Sequence, residues 1–158
     1  MKPKILIVKA DYYWNIATGL EAAAEVTLNT KSISKVTYKV IEVPGVFEIP
    51  VIIAKNIKKY DAFIALGCVI KGETPHFDFI SKTTFDAIMN LSVNHKKPIG
   101  NGIITALDIG QAGLRSSSEV FPKGSKINKP NKGTEAARAV LSILGILKNE
   151  SKWSSSKS

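Results

Sequence analysis

A glutamate, a threonine, a proline and a histidine stand in a row at Glu73–His76, inside the stretch Gly67–Phe79 (GCVIKGETPHFDF). Thr74 is a good N-cap and Pro75 a good first helical residue, so a helix is predicted to begin there. The free N–H groups and positive dipole end of such a helix, beside Glu73 and Thr74, make an anion site suited to phosphate or carboxylate. The positive end of a helix disfavours an imidazolium, so a histidine in the first turn, His76, fits a proton shuttle. The same residues also suit a plain helix cap with a surface histidine. His95, the other histidine, sits beside Lys96 and Lys97 and reads as a surface residue. Val43–Pro50 (VPGVFEIP) adds Gly45, where backbone can approach closely, Phe47 as an aromatic wall and Glu48 as a carboxylate at a helix start. Glu48 could equally serve only the helix dipole. Asp11–Trp14 (DYYW) offers consecutive aromatics that could stack on a flat heterocycle or pack in a core or interface.

These segments need a frame. Lys4–Lys9 (KILIVK), Val36–Val43, Ala62–Ile70 (AFIALGCVI) and Ile99–Ala106, the last interrupted by Gly100 and Gly102, read as strands. Helical spacing predicts helices over Asn15–Leu28, Phe47–Lys58 with a proline in its first turn, Pro75–Asn94 and Thr134–Lys148. Asp108 is expected to cap a further short helix, with Gln111 three residues on in a capping-box arrangement. The order β-α-β-α-β-α-β-α-α predicts an α/β fold, a parallel sheet with helices on both faces. In such a sheet ligands bind beyond the carboxyl ends of the strands, where the segments above fall. Asn101 lies about 16 Å before the carboxyl end of the fourth strand, at ~3.3 Å per residue. Arg115 ends the helix that runs back, so Asn101 and Arg115 are expected to be neighbours, away from His76 of their own chain. If they are functional, they serve an adjacent subunit.

The chain has 158 residues, 44% of them hydrophobic and 22% charged, which suits one globular domain over 1–150 and argues against wholesale disorder. Residues 116–133 (SSSEVFPKGSKINKPNKG) form a connector long for a compact domain, and 151–158 (SKWSSSKS) read as a flexible tail. With one cysteine, Cys68, neither an internal disulfide nor a cysteine-rich metal site is available. No signal-peptide pattern and no span-length apolar run are present, so a cytoplasmic protein without membrane contact is expected. The net charge is +9, and residues 115–158 hold nine basic and three acidic side chains. No arginine-rich run or aromatic-basic interleaving accompanies that charge, so nucleic acid is not the expected partner.

VPGVFEIP, LGCVIKGETPHFD, NGIITALD-x-x-QA-x-x-R and the later NKG resemble, in order and spacing, the 6,7-dimethyl-8-ribityllumazine synthase family of riboflavin biosynthesis, from about Lys4 to Leu147. The resemblance implies a three-layer α/β/α, flavodoxin-like fold with a four-stranded parallel sheet. It implies a transferase that condenses 5-amino-6-(D-ribitylamino)uracil with 3,4-dihydroxy-2-butanone 4-phosphate, releasing phosphate and water, with neither metal nor organic cofactor. By resemblance Tyr12 stacks on the pyrimidine, and Val46, Phe47, Glu48, Cys68, Val69 and Ile70 hold the pyrimidine and ribityl chain. Glu73 and Thr74 contact the phosphorylated ketone, and His76 is the general acid/base. Asn101 and Arg115 come from the adjacent subunit, the first toward the uracil and the second gripping phosphate, with Lys132 near that phosphate. Tyr12 replaces the family's usual phenylalanine or tryptophan, and Asn101 stands where many members carry an aromatic. The connector exceeds the short linker of capsid-forming members, so a homopentamer or a pair of pentamers is expected. The competing readings are a flavin- or nucleotide-binding module without this catalysis, and a basic interaction protein using the connector.

Overall fold

The structure, a computed structural model, describes residues 1–32, 35–118 and 130–147; most of the connector and the whole 151–158 tail lie outside the described residues. Strands β1 (Lys4–Ala10), β2 (Thr37–Val43), β3 (Ala62–Ile70) and β4 (Ile99–Ala106) form one sheet in the order β2-β1-β3-β4. Every pairing is parallel. Helices α1 (Trp14–Ser32), α4 (Ile109–Ser116) and α5 (Lys132–Ile143) cover one face. A 3₁₀ turn at Val46–Glu48, α2 (Ile49–Asn56) and α3 (His76–His95) cover the other. The fold is therefore the parallel sheet with helices on both faces that the element order predicts, and the three-layer, flavodoxin-like α/β/α sandwich that the resemblance implies. No helix among the described residues is long and apolar enough to cross a membrane.

The side-chain alternation of a strand explains the layers. In β1, Ile5 and Ile7 enter the α1/α5 core, whereas Leu6, Val8 and Ala10 enter the α2/α3 core. Lys9 follows the parity of Ile5 and Ile7 and is buried at 4% exposure. Its ammonium reaches Glu21 on α1 and, at 3.1 Å, Glu42 on β2. Burial alone would lower its pKa, but the two carboxylates more than offset this and hold it above its ordinary value. Lys9 thus ties β1, β2 and α1 together one residue before the strand ends.

The helix ends correct the sequence reading. Helix α3 starts at His76, with Pro75 rather than Thr74 as N-cap and no side-chain cap. The Pro75 carbonyl accepts from Asp78 and Phe79 N–H at 3.1 and 3.3 Å, and its ring holds φ at −69°, a value a helix start accepts. The helix read as Phe47–Lys58 is a 3₁₀ turn followed by α2, with Pro50 in the first turn. Asp108 does cap α4, accepting from Gln111 N–H at 2.8 Å, but the Gln111 side chain takes the N–H of Leu107 instead of the cap residue's own.

Helix α5 starts two residues earlier than predicted, because Asn131 caps it by accepting from Gly133 N–H at 2.8 Å. The Asn131 amide also donates to the carbonyls of Gly19 and Ser117, joining α1, the end of α4 and the start of α5. Helix α5 stops at Ile143, short of Lys148, where Gly145 adopts φ 77° and Ile146 N–H returns to the Leu141 carbonyl at 2.9 Å. Gly133 lies so close to α1 that a Cβ there would meet the Leu20 carbonyl oxygen at 2.1 Å. Backbone cannot yield as a side chain does, so Gly133→Ala is expected to lower unfolding free energy by about 2–3 kcal/mol. Chemical denaturation of the two proteins measures it; an unchanged midpoint would show that the two helices separate freely.

Candidate functional site

The carboxyl ends of the strands align at one edge, with Ala10 opposite Val43 and Ile70 opposite Ala106. The loops that leave them converge. Asp11 N–H donates to the Val43 carbonyl at 3.0 Å and Lys71 N–H to the Ala106 carbonyl at 2.9 Å. Gly67 lets the 3₁₀ turn settle on β3, since a Cβ there would meet Val46 Cγ1 at 2.7 Å and Ala10 Cβ at 3.1 Å. Val46 is consequently buried, while Phe47 next to it is left 60% exposed. Tyr12 is 78% exposed and meets Tyr13 edge-on at 5.0 Å between ring centroids. Tyr12 and Phe47 stand clear of the core, so their faces are available to a ligand. Glu48 is half-buried, and its side chain makes no cap bond to α2. Glu73, Thr74 and His76 are all exposed at the start of α3.

Cys68 behaves differently from its neighbours. Its side chain belongs to the α1/α5 core, and burial pushes the thiol up to about 11. Tyr13 packs against the same core, and burial followed by its Cys68 and Tyr12 neighbours raises its pKa too. Cys68 therefore stays a neutral thiol at ordinary pH and is no nucleophile. Val69 and Ile70, both half-buried, are what that strand end offers in side chains.

A second feature lies lower on the molecule. A cavity of about 260 Å³ is walled by Phe85, Asn101, Ile103, Ile104, Thr105, Arg115 and Lys132. The expectation that Asn101 and Arg115 are neighbours holds, and Lys132 joins them. His76 is not among the walls. Phe85 is, and it lies nine residues farther along α3, about 13 Å at 1.5 Å per residue. One chain thus carries two separated groups of candidate residues, the crevice over the strand ends and the cavity at the edge of β4.

The cavity has a built charge arrangement. Glu135 Oε2 receives Arg115 Nη2 at 3.1 Å and Lys132 Nζ at 3.4 Å, so one carboxylate orients two cations. Glu135 is not a wall of the cavity. The Arg115 side chain is 22% exposed, and its Nε is buried with no protein partner among the described residues. The cluster keeps one surplus positive charge and an unused guanidinium donor, a combination that attracts an oxyanion. Sequence reading missed Glu135, Phe85 and Thr105. Only the Lys132–Glu135 spacing, i to i+3 on a helix, was a visible hint.

The sequence model of the 6,7-dimethyl-8-ribityllumazine synthase family matches residues 2–148. The chain is 39% identical over 150 residues to the 6,7-dimethyl-8-ribityllumazine synthase of Nitrobacter hamburgensis, covering 90% of this chain and 85% of the relative. It is 41% identical over 150 residues to 6,7-dimethyl-8-ribityllumazine synthase 1 of Rhodopseudomonas palustris, with 90% and 85% covered. To the Agrobacterium fabrum synthase it is 39% identical over 154 residues, covering 93% of this chain and 96% of that one.

Proposed function

Because the chain belongs to the 6,7-dimethyl-8-ribityllumazine synthase family, transferases of riboflavin biosynthesis acting on small molecules, we propose that it joins 5-amino-6-(D-ribitylamino)uracil to 3,4-dihydroxy-2-butanone 4-phosphate. The observation that carries this reading is the cationic cavity of Arg115 and Lys132, held by Glu135 and fit for the phosphate of the ketone.

The uracil stacks on Tyr12 in the crevice, flanked by Phe47, with Val46, Glu48 and the Cys68–Ile70 strand end along its ribityl chain. Glu73 and Thr74 face the ketone. Its phosphate is met by Arg115 and Lys132 of the next subunit in a homopentamer or a pair of pentamers, and by the resemblance Asn101 of that subunit faces the uracil. The 13 Å along α3 between His76 and the cavity favours such sharing over a site within one chain. The exposed apolar side chains Phe79, Met89 and Val93 on α3 supply surface for subunit contact.

The chemistry suits these groups. The amine of the uracil adds to the ketone carbonyl and loses water to form an imine; phosphate then leaves, and the second amine closes the ring with loss of another water. Each step moves a proton, which a histidine at the crevice can relay. Phosphate departs with its charge developed against a guanidinium, which pairs with it through two parallel bonds. Holding amine and ketone together supplies much of the acceleration. The test is to mix the two substrates with the protein and follow lumazine fluorescence together with released phosphate. Equal amounts of both, above the uncatalysed rate, support the reading. No product above that rate overturns it.

A further inference from the structure

We infer that Lys9 is a positioning residue, whose buried ion pairs aim the corner that carries Tyr12; the inference rests on the reading that the uracil stacks on Tyr12. Among the described residues, Lys9 is the one ordinarily charged side chain that is buried. It sits on β1 one residue before the strand ends, opposite Glu42 of β2 and Leu66 of β3. Its ammonium pairs sideways with Glu42 and, off the face of the sheet, with Glu21 of α1. Glu25, one turn farther along α1, hydrogen-bonds Glu21 in its turn.

The crevice lies just beyond. Between β1 and α1 the chain has only Asp11, Tyr12 and Tyr13 in which to turn. Asp11 is tied to β2, its N–H donating to the Val43 carbonyl at 3.0 Å. Tyr13 is tied to α1, its carbonyl accepting from Ala17 N–H at 2.9 Å. Tyr12 stands between them, with its ring exposed and touching Tyr13 edge-on. Its direction is inherited from the strand end on one side and the helix start on the other. Lys9 joins those two supports by directional contacts. Helix α1 cannot follow a drifting strand end, because Asn131 holds the Gly19 carbonyl and Gly133 lies against Leu20. Loosening of the pair therefore falls on the corner.

Stability alone does not call for a lysine here. The site follows Ile5 and Ile7 toward an apolar core, where an aliphatic side chain has no charge to dehydrate. A buried ion pair is often no more stabilising than apolar residues of similar volume; what it adds is one fixed arrangement. Apolar packing is non-directional and would let β1 slip slightly against α1. Three residues on, an aromatic face has to meet a flat heterocycle, and that is where a fixed arrangement counts.

The test compares Lys9→Met, Glu21→Gln and the double variant carrying both with the parent enzyme, by steady-state kinetics for each substrate and by chemical denaturation. Lys9→Met strands Glu21 without its cation and is expected to unfold at lower denaturant. The double variant removes that stranded charge and is expected to regain the parent's midpoint or exceed it. In both, the uracil KM is expected to rise about five- to tenfold, with the butanone phosphate KM within about twofold. Glu21→Gln keeps Lys9 paired with Glu42 and is expected to raise the uracil KM about two- to threefold, a readout should Lys9→Met fail to fold. A raised uracil KM in a double variant as stable as the parent is what a merely structural role cannot produce. An unchanged uracil KM in the double variant would overturn the inference, as would equal rises for the two substrates. Tyr12→Ala runs alongside and is expected to raise the uracil KM about tenfold or more. If it leaves that KM unchanged, the reading of Tyr12 as the stacking face fails, and the inference with it.

Discussion

Arg115→Ala is expected to lower kcat/KM for the butanone phosphate about 100-fold, some 2.7 kcal/mol at 1.36 kcal/mol per decade, while the KM for the uracil stays within a few-fold. Two losses combine. The first is the guanidinium fork, whose buried Nε has no partner among the described residues and whose Nη2 bonds to Glu135. The second is charge. With Arg115 present, Glu135 is shared by two cations, and the cluster is net positive. Without it, Lys132 and Glu135 neutralise each other, so the anion meets a balanced pair. Arg115→Lys restores the charge but not the fork and is expected to recover part of the loss, leaving a deficit of about tenfold. Kinetics at varied concentrations of each substrate separate the cases. A uracil KM that rises as much as that of the ketone would make Arg115 a support of the fold rather than a phosphate ligand.

What could be read beforehand divides along the range of the interactions involved. The bounds of β3 and β4 were legible to the residue, because AFIALGCVI is a continuous apolar stretch between Asp61 and Lys71, and IGNGIITA is a stretch of β-branched and small residues between Pro98 and Leu107-Asp108. Gly100 and Gly102, which interrupt the β4 pattern, make room for close packing: a Cβ on Gly100 would meet the Ala136 carbonyl oxygen of α5 at 2.4 Å, and one on Gly102 would meet Leu66 Cδ2 of β3 at 2.4 Å. Helix starts were less legible, since Thr74 reads as the cap and Pro75 as the first helical residue, whereas the backbone begins α3 one residue later, at His76. At α5 the capping residue, Asn131, stands in the NKG stretch but was not read as a cap, and its bonds to Gly19 and Ser117 join residues 112 and 14 positions away.

The candidate site follows the same rule. His76, Glu73 and Thr74 were visible because they are local to one turn. Arg115 and Asn101 were matched by strand and helix arithmetic. Glu135 was not, since its meeting with Arg115 spans 20 residues and depends on how α5 lands on β4. Lys9 was hidden for a related reason: a lysine ending an apolar strand reads as the point where the chain reaches solvent. Its burial requires Glu21 and Glu42, brought to it by a helix and by the neighbouring strand.

Mixing His76→Ala and Arg115→Ala chains, each nearly inactive alone, is expected to restore about a quarter of parent activity once subunits exchange, because a ring built from one repeated head-to-tail contact places a different patch of each subunit on its two sides. A functional site then needs His76 from one subunit and Arg115 from the next. Random assembly of equal amounts supplies an intact His76 at half of the interfaces and an intact Arg115 at half of those. Sites confined to one chain would gain nothing, since every chain carries one of the two lesions. The geometry favours rescue. Cavity and crevice are about 13 Å apart along α3, too far for one small phosphorylated ketone to touch both on the same chain. Light scattering on the mixture checks that assemblies of pentamer or decamer mass are present, and differentially tagged chains purified together check that they are mixed. Mixed assemblies without restored activity would confine catalysis to a single chain and break the link between Arg115 and the neighbour's His76.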